Sequence, residues 1–431
     1  MPGESLDRPN PQPLPSRIPE YVDKLLVKFD KPTLSPEINS ALQKYRRAAN
    51  YIAAAMIFLQ DNVYLKRDLK FKDIKPRLLG HWGTCPALTL IYSHLNYLVQ
   101  KHDLDMIYVV GSGHGAPSIL ANLWIEGSLS RFYPDCSQDA KGLHTLISGF
   151  STTGGYPSHI NAETPGAIHE GGELGYALSF SFGAIMDKPD LIVACEIGDG
   201  EAESGPTATT WHGFKYIDPP ESGAVLPIIN VNMDDREMAA LFTGYGYQPR
   251  MVDDLDDIDG DLNVSMEWAL SEIRRIQKAA RSGQPIVKPR WPVLIMRTPK
   301  GWSGPKKVHG EFVEGSYRAH QVPLPAAKKD AGDLADLQAW LKSYKPEEPF
   351  KDNGDVIDEI KSIIPKEESK RLGQRKEVYM PATKASTRLT KKHYMLTKEA
   401  RRAQCRLLAS SWIRRYKQIP KMSGYSRRTS S

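Results

Sequence analysis

The sequence predicts an α/β protein: a parallel sheet with helices on both faces. Three observations lead there. Short apolar runs of strand length alternate with helical stretches along the chain. Glycine and polar residues crowd the end of each run, where open parallel sheets bind their ligands. No internal repeat offers a solenoid as an alternative.

The elements follow in order. Residues 1–40 are rich in proline and read as an extended arm or a capped entry into the fold. Helical periodicity runs from about Ser40 to Gln60, with Ala53, Ala54, Met56 and Ile57 on its apolar side. Met106–Val110 is the first buried strand, closed by Gly111-Ser-Gly, and Ala116–Glu126 is the helix behind it. Leu191–Ile197 is the second strand, ending in Gly-Asp-Gly, with a helical stretch from about Thr207. Val225–Val231 is the third, ending at Asn232 and followed by a helix after Asp235. Residues 266–282 read as helix and Pro292–Met296 as the fourth strand. These elements form one domain over residues 41–323. Residues 324–376 turn to Lys, Asp, Glu and Pro and are expected to be a charged linker or surface extension.

Composition sets the class. Among 431 residues, 40% are hydrophobic and 25% charged, the balance of a folded soluble chain. The longest apolar stretch, Tyr176 to Ile197, is interrupted by Asp187, Lys188 and Asp190, so no membrane span is expected. The first residues are polar and proline-rich, unlike a secretory leader. Four cysteines without a CxxC pair fit neither a disulfide framework nor a zinc site. A cytoplasmic setting is expected. The net charge of +6 is uneven: from Lys384 onward 14 basic residues face one acid, Glu399. The remainder carries 43 basic and 50 acidic residues, which argues against a nucleic-acid-binding core. The tail, residues 377–431, is expected to be disordered. It reads either as a basic arm with Trp412, Tyr416 and Tyr425, or as translated sequence foreign to the domain.

The chemistry concentrates in two sets of residues. Ile197-Gly-Asp-Gly-Glu-Ala-Glu203, with Asn232 about thirty residues on, places oxygen donors at the ends of two strands. Asp199 and Asn232 suit a hard cation shared with a diphosphate, which Gly198 and Gly200 would let approach the backbone. A lone Gly-Asp-Gly is usually a turn; the spaced Asn turns the reading toward a ligand site. The second set is histidines in glycine-rich strings: Gly80-His81-Trp-Gly, Gly111-Ser-Gly-His114-Gly, Pro157-Ser-His159 and Ile168-His169-Glu-Gly-Gly. Imidazoles uncovered by glycine neighbours suit proton transfer near neutral pH. Their spacing is wrong for a histidine-bound zinc, and Gly-Ser-Gly-His-Gly is wrong for a dinucleotide fingerprint. A later string, Arg297-Thr-Pro-Lys300-Gly-Trp-Ser-Gly, leads to Arg318-Ala-His320. Lys300 suits an anion and His320 a proton shuttle.

Gly-Asp-Gly with its distant Asn resembles the thiamine diphosphate motif of the transketolase-like superfamily. GHWGT, GSGHGAPS, PSHINAETPGAIHEGGELGYALS, DLIVACEIGDGEAESGPTA, KPRWPVLIMRTPKGWSGPK and YRAHQVPL together resemble phosphoketolase, over roughly Ile18 to Lys370. The resemblance implies a thiamine-diphosphate- and Mg²⁺-dependent lyase in carbohydrate metabolism. Such an enzyme converts xylulose 5-phosphate or fructose 6-phosphate, with inorganic phosphate, to acetyl phosphate and an aldose phosphate. It implies His81, His114, His159, His320 and Lys300 as catalytic residues. It likewise implies Gly172, Asp199, Gly200, Glu201 and Asn232 as cofactor-binding residues, with Asp199, Asn232 and the Asp234 carbonyl on the metal. The segment after Asn232 is roughly a dozen residues shorter than the family's, which puts the third metal ligand on a differently shaped loop. The family's pyrimidine-binding half has no counterpart in this sequence. Weak or absent turnover is therefore expected of the chain alone, with a homo-oligomer or a full-length relative as partner. A non-catalytic cofactor-binding or subunit-interaction fragment is the alternative.

Overall fold

A computed structural model of the chain describes residues 24–28, 34–231 and 235–378. Five strands form a parallel sheet: β1 (Asp105–Val110), β2 (Leu191–Gly198), β3 (Ala224–Asn230), β4 (Gln248–Val252) and β5 (Pro292–Met296). Their spatial order is β1-β2-β3-β5-β4. Nearly every strand residue is buried, so both faces of the sheet are covered, which is why the strands read as unbroken apolar runs. In the register, Val110 lies opposite Glu196, Gly198 opposite Asn230, and Asn230 opposite Met296. The loops that leave β1, β2 and β5 therefore emerge along one edge.

Helix α1 (Pro36–Phe58) starts earlier than predicted, because Pro36 takes the first helical position and the Ser35 hydroxyl accepts the Ile38 N–H at 3.4 Å. It packs with α2 (Cys85–His102) and α3 (Ala116–Glu126) in a layer beside the sheet. The interior of α1 near its C-terminus is held by Lys75, a buried residue whose ammonium donates to the Met56 and Phe150 carbonyls at 2.6 and 2.7 Å. Burial lowers its pKa to about 7. Further helices are α4 (Ala140–Gly149), α5 (Ala177–Ile185), α6 (Asp235–Tyr245), α7 (Ile258–Arg281) and α8 (Ala331–Ser343).

Five elements went unpredicted, α2, α4, α5, α8 and β4, and one began eight residues early. Helix α2 buries Thr89, Ser93, His94 and Asn96 along with its apolar residues, so its polar positions mask the periodicity. Strand β4 sits at the sheet edge and carries the buried Arg250, paired with Asp261. Helix α7 extends eight residues ahead of the predicted start, through Asp259, Asp261 and Asn263. These polar groups are buried because they are partnered: Asp259 receives Arg46 and lies 3.1 Å from His94 Nε2.

Residues 324–376 are not a linker. Leu337, Trp340 and Leu341 of α8, with Val356, Ile360, Ile363 and Leu372, enter the same hydrophobic core as the sheet. Most of the charged residues that gave the segment its composition lie on its outer side, Asp333 and Arg375 being buried exceptions, whereas the apolar ones face inward. The end of the segment is pinned by Glu126, at the C-terminus of α3. Its buried carboxylate accepts the Leu372 and Gly373 N–H groups at 2.6 and 3.1 Å and the Tyr92 and Ser128 hydroxyls at 2.8 and 2.6 Å. The proline-rich residues 1–23 and the basic tail from 379 onward lie outside the described residues.

Candidate active site

Two groups of loops converge at the sheet edge. The first contains residues 80–84, 300–304 and 319–321. Trp82 N–H donates to Gln321 O at 2.9 Å, Gly83 N–H to His320 O at 3.4 Å, and Gly301 N–H to Gly83 O at 2.7 Å. This stitching brings His81, Lys300 and His320 together from positions more than two hundred residues apart. Space is tight: a Cβ on Gly83 would lie 3.0 Å from the Ala319 carbonyl oxygen and 3.1 Å from Lys300 Cε.

The second group contains residues 111–115, 158–160 and 169–172. Ile160 N–H donates to Gly113 O at 2.9 Å, and Gly171 N–H to Ile160 O at 2.9 Å. Gly113 and Gly171 meet backbone to backbone, and a Cβ on Gly113 would fall 2.2 Å from Gly171 O. His114, His159 and Gly172 are thereby set beside one another. The Gly111-Ser112 turn itself rests on Glu196 of β2, whose fully buried carboxylate accepts the Ser112 N–H at 3.1 Å and hydroxyl at 2.7 Å. Burial raises the Glu196 pKa to about 7.

Between the groups lie four imidazoles. Ring centroids are 5.0 Å apart for His81 and His114, 5.5 Å for His81 and His159, and 5.2 Å for both His81–His320 and His114–His320. His81 Nδ1, His114 Nε2 and His320 Nδ1 are buried without a hydrogen-bond partner. Native proteins seldom leave such atoms unpaired except where a ligand or water completes them. Burial, then the neighbouring His320 and His159, pushes the His81 pKa down to about 4. Burial and the surrounding rings take His114 to about 3. His320 is lowered by burial and by the Lys300 ammonium.

These shifts set a pH dependence. Folding holds His81 and His114 neutral, whereas in the unfolded chain they protonate near 6.5. The unfolded state thus takes up protons first, and this contribution to stability is lost as pH falls from 6.5 through the folded values of about 4 and 3. In an NMR titration of the histidine rings, both residues should keep neutral-imidazole shifts between about pH 8 and pH 5. A midpoint near 6.5 for either ring would contradict the desolvated cluster.

The Gly-Asp-Gly loop meets the second group at Gly111, where an added Cβ would lie 2.2 Å from Glu201 Oε2. Strand β2 ends at Gly198, and the expected helix is two short turns, Asp199–Ala202 and Gly205–Thr210. Gly172, Gly198 and Gly200 have open space where a Cβ would stand. Glu201 is buried; one carboxylate oxygen accepts the Gly175 N–H at 2.8 Å, and the other, Oε2, has no partner. Burial raises its pKa. The Asp199 carboxylate accepts the Gly200 N–H at 2.8 Å. Asn232 and Asp234 lie outside the described residues.

Of the histidines in glycine-rich strings, His169 separates from the rest. It is buried beneath β1 with Nε2 2.9 Å from the Val110 carbonyl and Nδ1 without a partner, and it makes no ring contact with the other four. Sequence reasoning missed Glu196 and Trp82. A glutamate inside the apolar run Ala194-Cys-Glu-Ile was the available signal for the first; the tryptophan next to His81 was the signal for the second.

Residues 33–382 match the family model described as the XFP N-terminal domain. The chain belongs to the phosphoketolase family, in its N-terminal part. A probable phosphoketolase of Schizosaccharomyces pombe is 48% identical over 383 residues, spanning 86% of this chain and 46% of that protein. One from Gloeobacter violaceus is 46% identical, spanning 79% of this chain and 45% of its own length. The chain therefore spans about half the length of the phosphoketolases it matches. Among solved structures, a transketolase from Leishmania mexicana aligns over 76% of this chain and 43% of its own, at 16% identity and a TM-score of 0.46. A transketolase from Pichia stipitis aligns over 89% and 48%, at 14% identity and a TM-score of 0.47. Among the described residues no helix is long and apolar enough to cross a membrane.

Proposed function

We propose that this chain supplies the diphosphate-binding and acid–base side of a phosphoketolase active centre. The reaction is cleavage of xylulose 5-phosphate or fructose 6-phosphate by inorganic phosphate, to acetyl phosphate and an aldose phosphate. The observation that carries this reading is the four-imidazole cluster with three buried, unpartnered ring nitrogens beside an open glycine cradle.

Thiamine diphosphate with Mg²⁺ fits that cradle. Gly172 and Gly200 leave room for it, and Asp199 provides a hard oxygen for the metal. Asn232 and the Asp234 carbonyl are assigned as the remaining protein ligands. Bound there, the cofactor would supply the carbon nucleophile that cleaves the ketose. The protein groups do the rest. His81 and His114, neutral at physiological pH, are ready to accept protons from substrate hydroxyls. An entering phosphate dianion would raise their pKa values and turn them into donors, as departure of a hydroxyl as water requires. His159 and His320 complete the ring around the substrate, and the Lys300 ammonium compensates phosphate charge. A non-catalytic binding fragment would have no use for three desolvated imidazoles.

Calorimetric titration with Mg²⁺-thiamine diphosphate is the test. The chain is expected to bind, and Asp199→Ala to weaken binding by about tenfold or more, the typical cost of disturbing a metal site. Equal affinity in both proteins would remove the metal assignment. Acetyl phosphate captured as its hydroxamate, with and without a full-length phosphoketolase as partner, tests turnover.

A further inference from the structure

We propose that Trp340 and Tyr344, at the C-terminal end of α8, are positioning residues that fix Lys300 by clamping a strained Ser303. The proposal rests on the reading of Lys300 as an active-site residue. Ser303 has φ +63°, a left-handed conformation that side chains other than glycine seldom adopt. Such a residue persists where its surroundings over-determine it. Here the Ser303 carbonyl accepts both the Trp340 indole N–H at 3.1 Å and the Tyr344 hydroxyl at 2.8 Å. The Ser303 N–H donates to Glu314 Oε2 at 3.0 Å, and its hydroxyl lies 3.2 Å from the Tyr344 hydroxyl. Trp340 Nε1 also donates to Tyr344 OH at 3.0 Å, closing a triangle whose two aromatic side chains are buried and whose serine is half-buried.

Lys300 is three residues from the clamped serine, within one compact turn. Trp302 N–H donates to Pro299 O at 2.9 Å and Gly304 N–H to Gly301 O at 3.0 Å. The Lys300 carbonyl accepts the Gly315 N–H at 2.8 Å, from the residue next to Glu314. The turn is thus held at two ends: Gly301 is tied to Gly83 and Trp82, and the far end is tied through Ser303 and Gly315, with Asn50 Nδ2 a further donor to the Ser303 hydroxyl at 3.4 Å. If Ser303 relaxed to an ordinary conformation, the Ser303 end of the turn would loosen and the Lys300 side chain would lose its fixed place beside His320, although Gly301 stays tied to Gly83 and Trp82. The clamp comes from a helix with no residue in the site itself, which gives α8 a function beyond covering the core.

The test reads Lys300 directly, apart from catalysis. Trace acylation with acetic anhydride, followed by peptide mass spectrometry, gives the reactivity of each lysine amine in the folded chain. Tyr344→Phe removes the hydroxyl while keeping the ring, and should raise Lys300 reactivity about fivefold, the factor expected from one lost neutral hydrogen bond. Other lysines should be unchanged. Ser303→Gly adopts the left-handed conformation without strain, so it should keep wild-type reactivity alone and restore it in combination with Tyr344→Phe. A merely structural tyrosine would show no such rescue. Unchanged Lys300 reactivity in both Tyr344→Phe and Trp340→Phe, with native near-ultraviolet dichroism, would overturn the proposal, as would failure of the glycine rescue. Should Tyr344→Phe not fold, the Trp340→Phe pair with Ser303→Gly gives the same reading. Lys300→Met tests the underlying assignment separately: if inorganic phosphate binds it as well as wild type, the active-site reading fails while the clamp result stands.

Discussion

A Gly113→Ala variant is expected to lose about 3 kcal/mol or more of folding stability, the upper range for overpacking. The added Cβ would stand 2.2 Å from Gly171 O and 2.4 Å from Gly171 C and Cα. Those atoms are backbone, and no rotamer change can move them aside. The two loops would have to separate, breaking the Ile160–Gly113 and Gly171–Ile160 hydrogen bonds and dislodging His114 from His81. Gly200→Ala is the informative contrast. Nothing stands within 4 Å of its added Cβ, and it lies in a helical turn, where alanine is preferred to glycine. Its stability should be unchanged or slightly higher, while Mg²⁺-thiamine diphosphate binding should weaken because the methyl group occupies the cradle. Urea denaturation of both variants, beside the same calorimetric titration, separates the two effects. A Gly113→Ala protein as stable as wild type would show that these loops are not locked together.

Trp82→Ala should be the most damaging single substitution in the site, at about 3–5 kcal/mol. The indole is fully buried, packs edge-on against Trp340 at 4.9 Å, and donates to Gly301 O at 3.1 Å. Its removal leaves both a large cavity and a buried carbonyl without its donor. Domains are stable by only about 5–15 kcal/mol, so the loss is a large share of the total. Trp82→Phe should retain most of the packing and lose mainly the hydrogen bond, about 1 kcal/mol. A cost below about 1 kcal/mol for the alanine variant would show that Gly301 and Trp340 are held by other contacts.

The parts of this molecule legible in its sequence are those whose physics is local. Runs such as Leu191–Ile197 and Pro292–Met296 announce strands buried on both faces, and Ala116–Glu126 was bounded at both ends by Gly115 and Gly127. His81, His114 and His159 stood out because glycine flanked them or lay close by, whereas His320 came from the string that follows Lys300. What escaped notice depends on partners distant along the chain. Helix α2 and the start of α7 are buried with their polar groups because His94, Asp259 and Arg46 satisfy one another across the layer. Arg250 disguised β4 for the same reason. In the 324–376 stretch, a handful of core side chains, Leu337, Trp340 and Ile360 among them, outweighed a charged average that described mainly the outer side. Ser303 gives no hint of its conformation until Trp340 and Tyr344 are seen around it.

The stitching of residues 80–84 to 300–304 and 319–321 has a consequence for biosynthesis. On a ribosome, His81 leaves the exit tunnel roughly 240 residues before His320, at a pace of about 5–20 residues per second. Through that interval the Trp82 indole has neither Gly301 nor Trp340 to cover it, and Glu126 waits longer still for the Leu372 and Gly373 amides. The nascent chain thus exposes a large aromatic surface, and Glu126 must stay hydrated until the Leu372 and Gly373 amides arrive. Non-local closure of this kind is slow, and surface left open meanwhile is what chaperones bind.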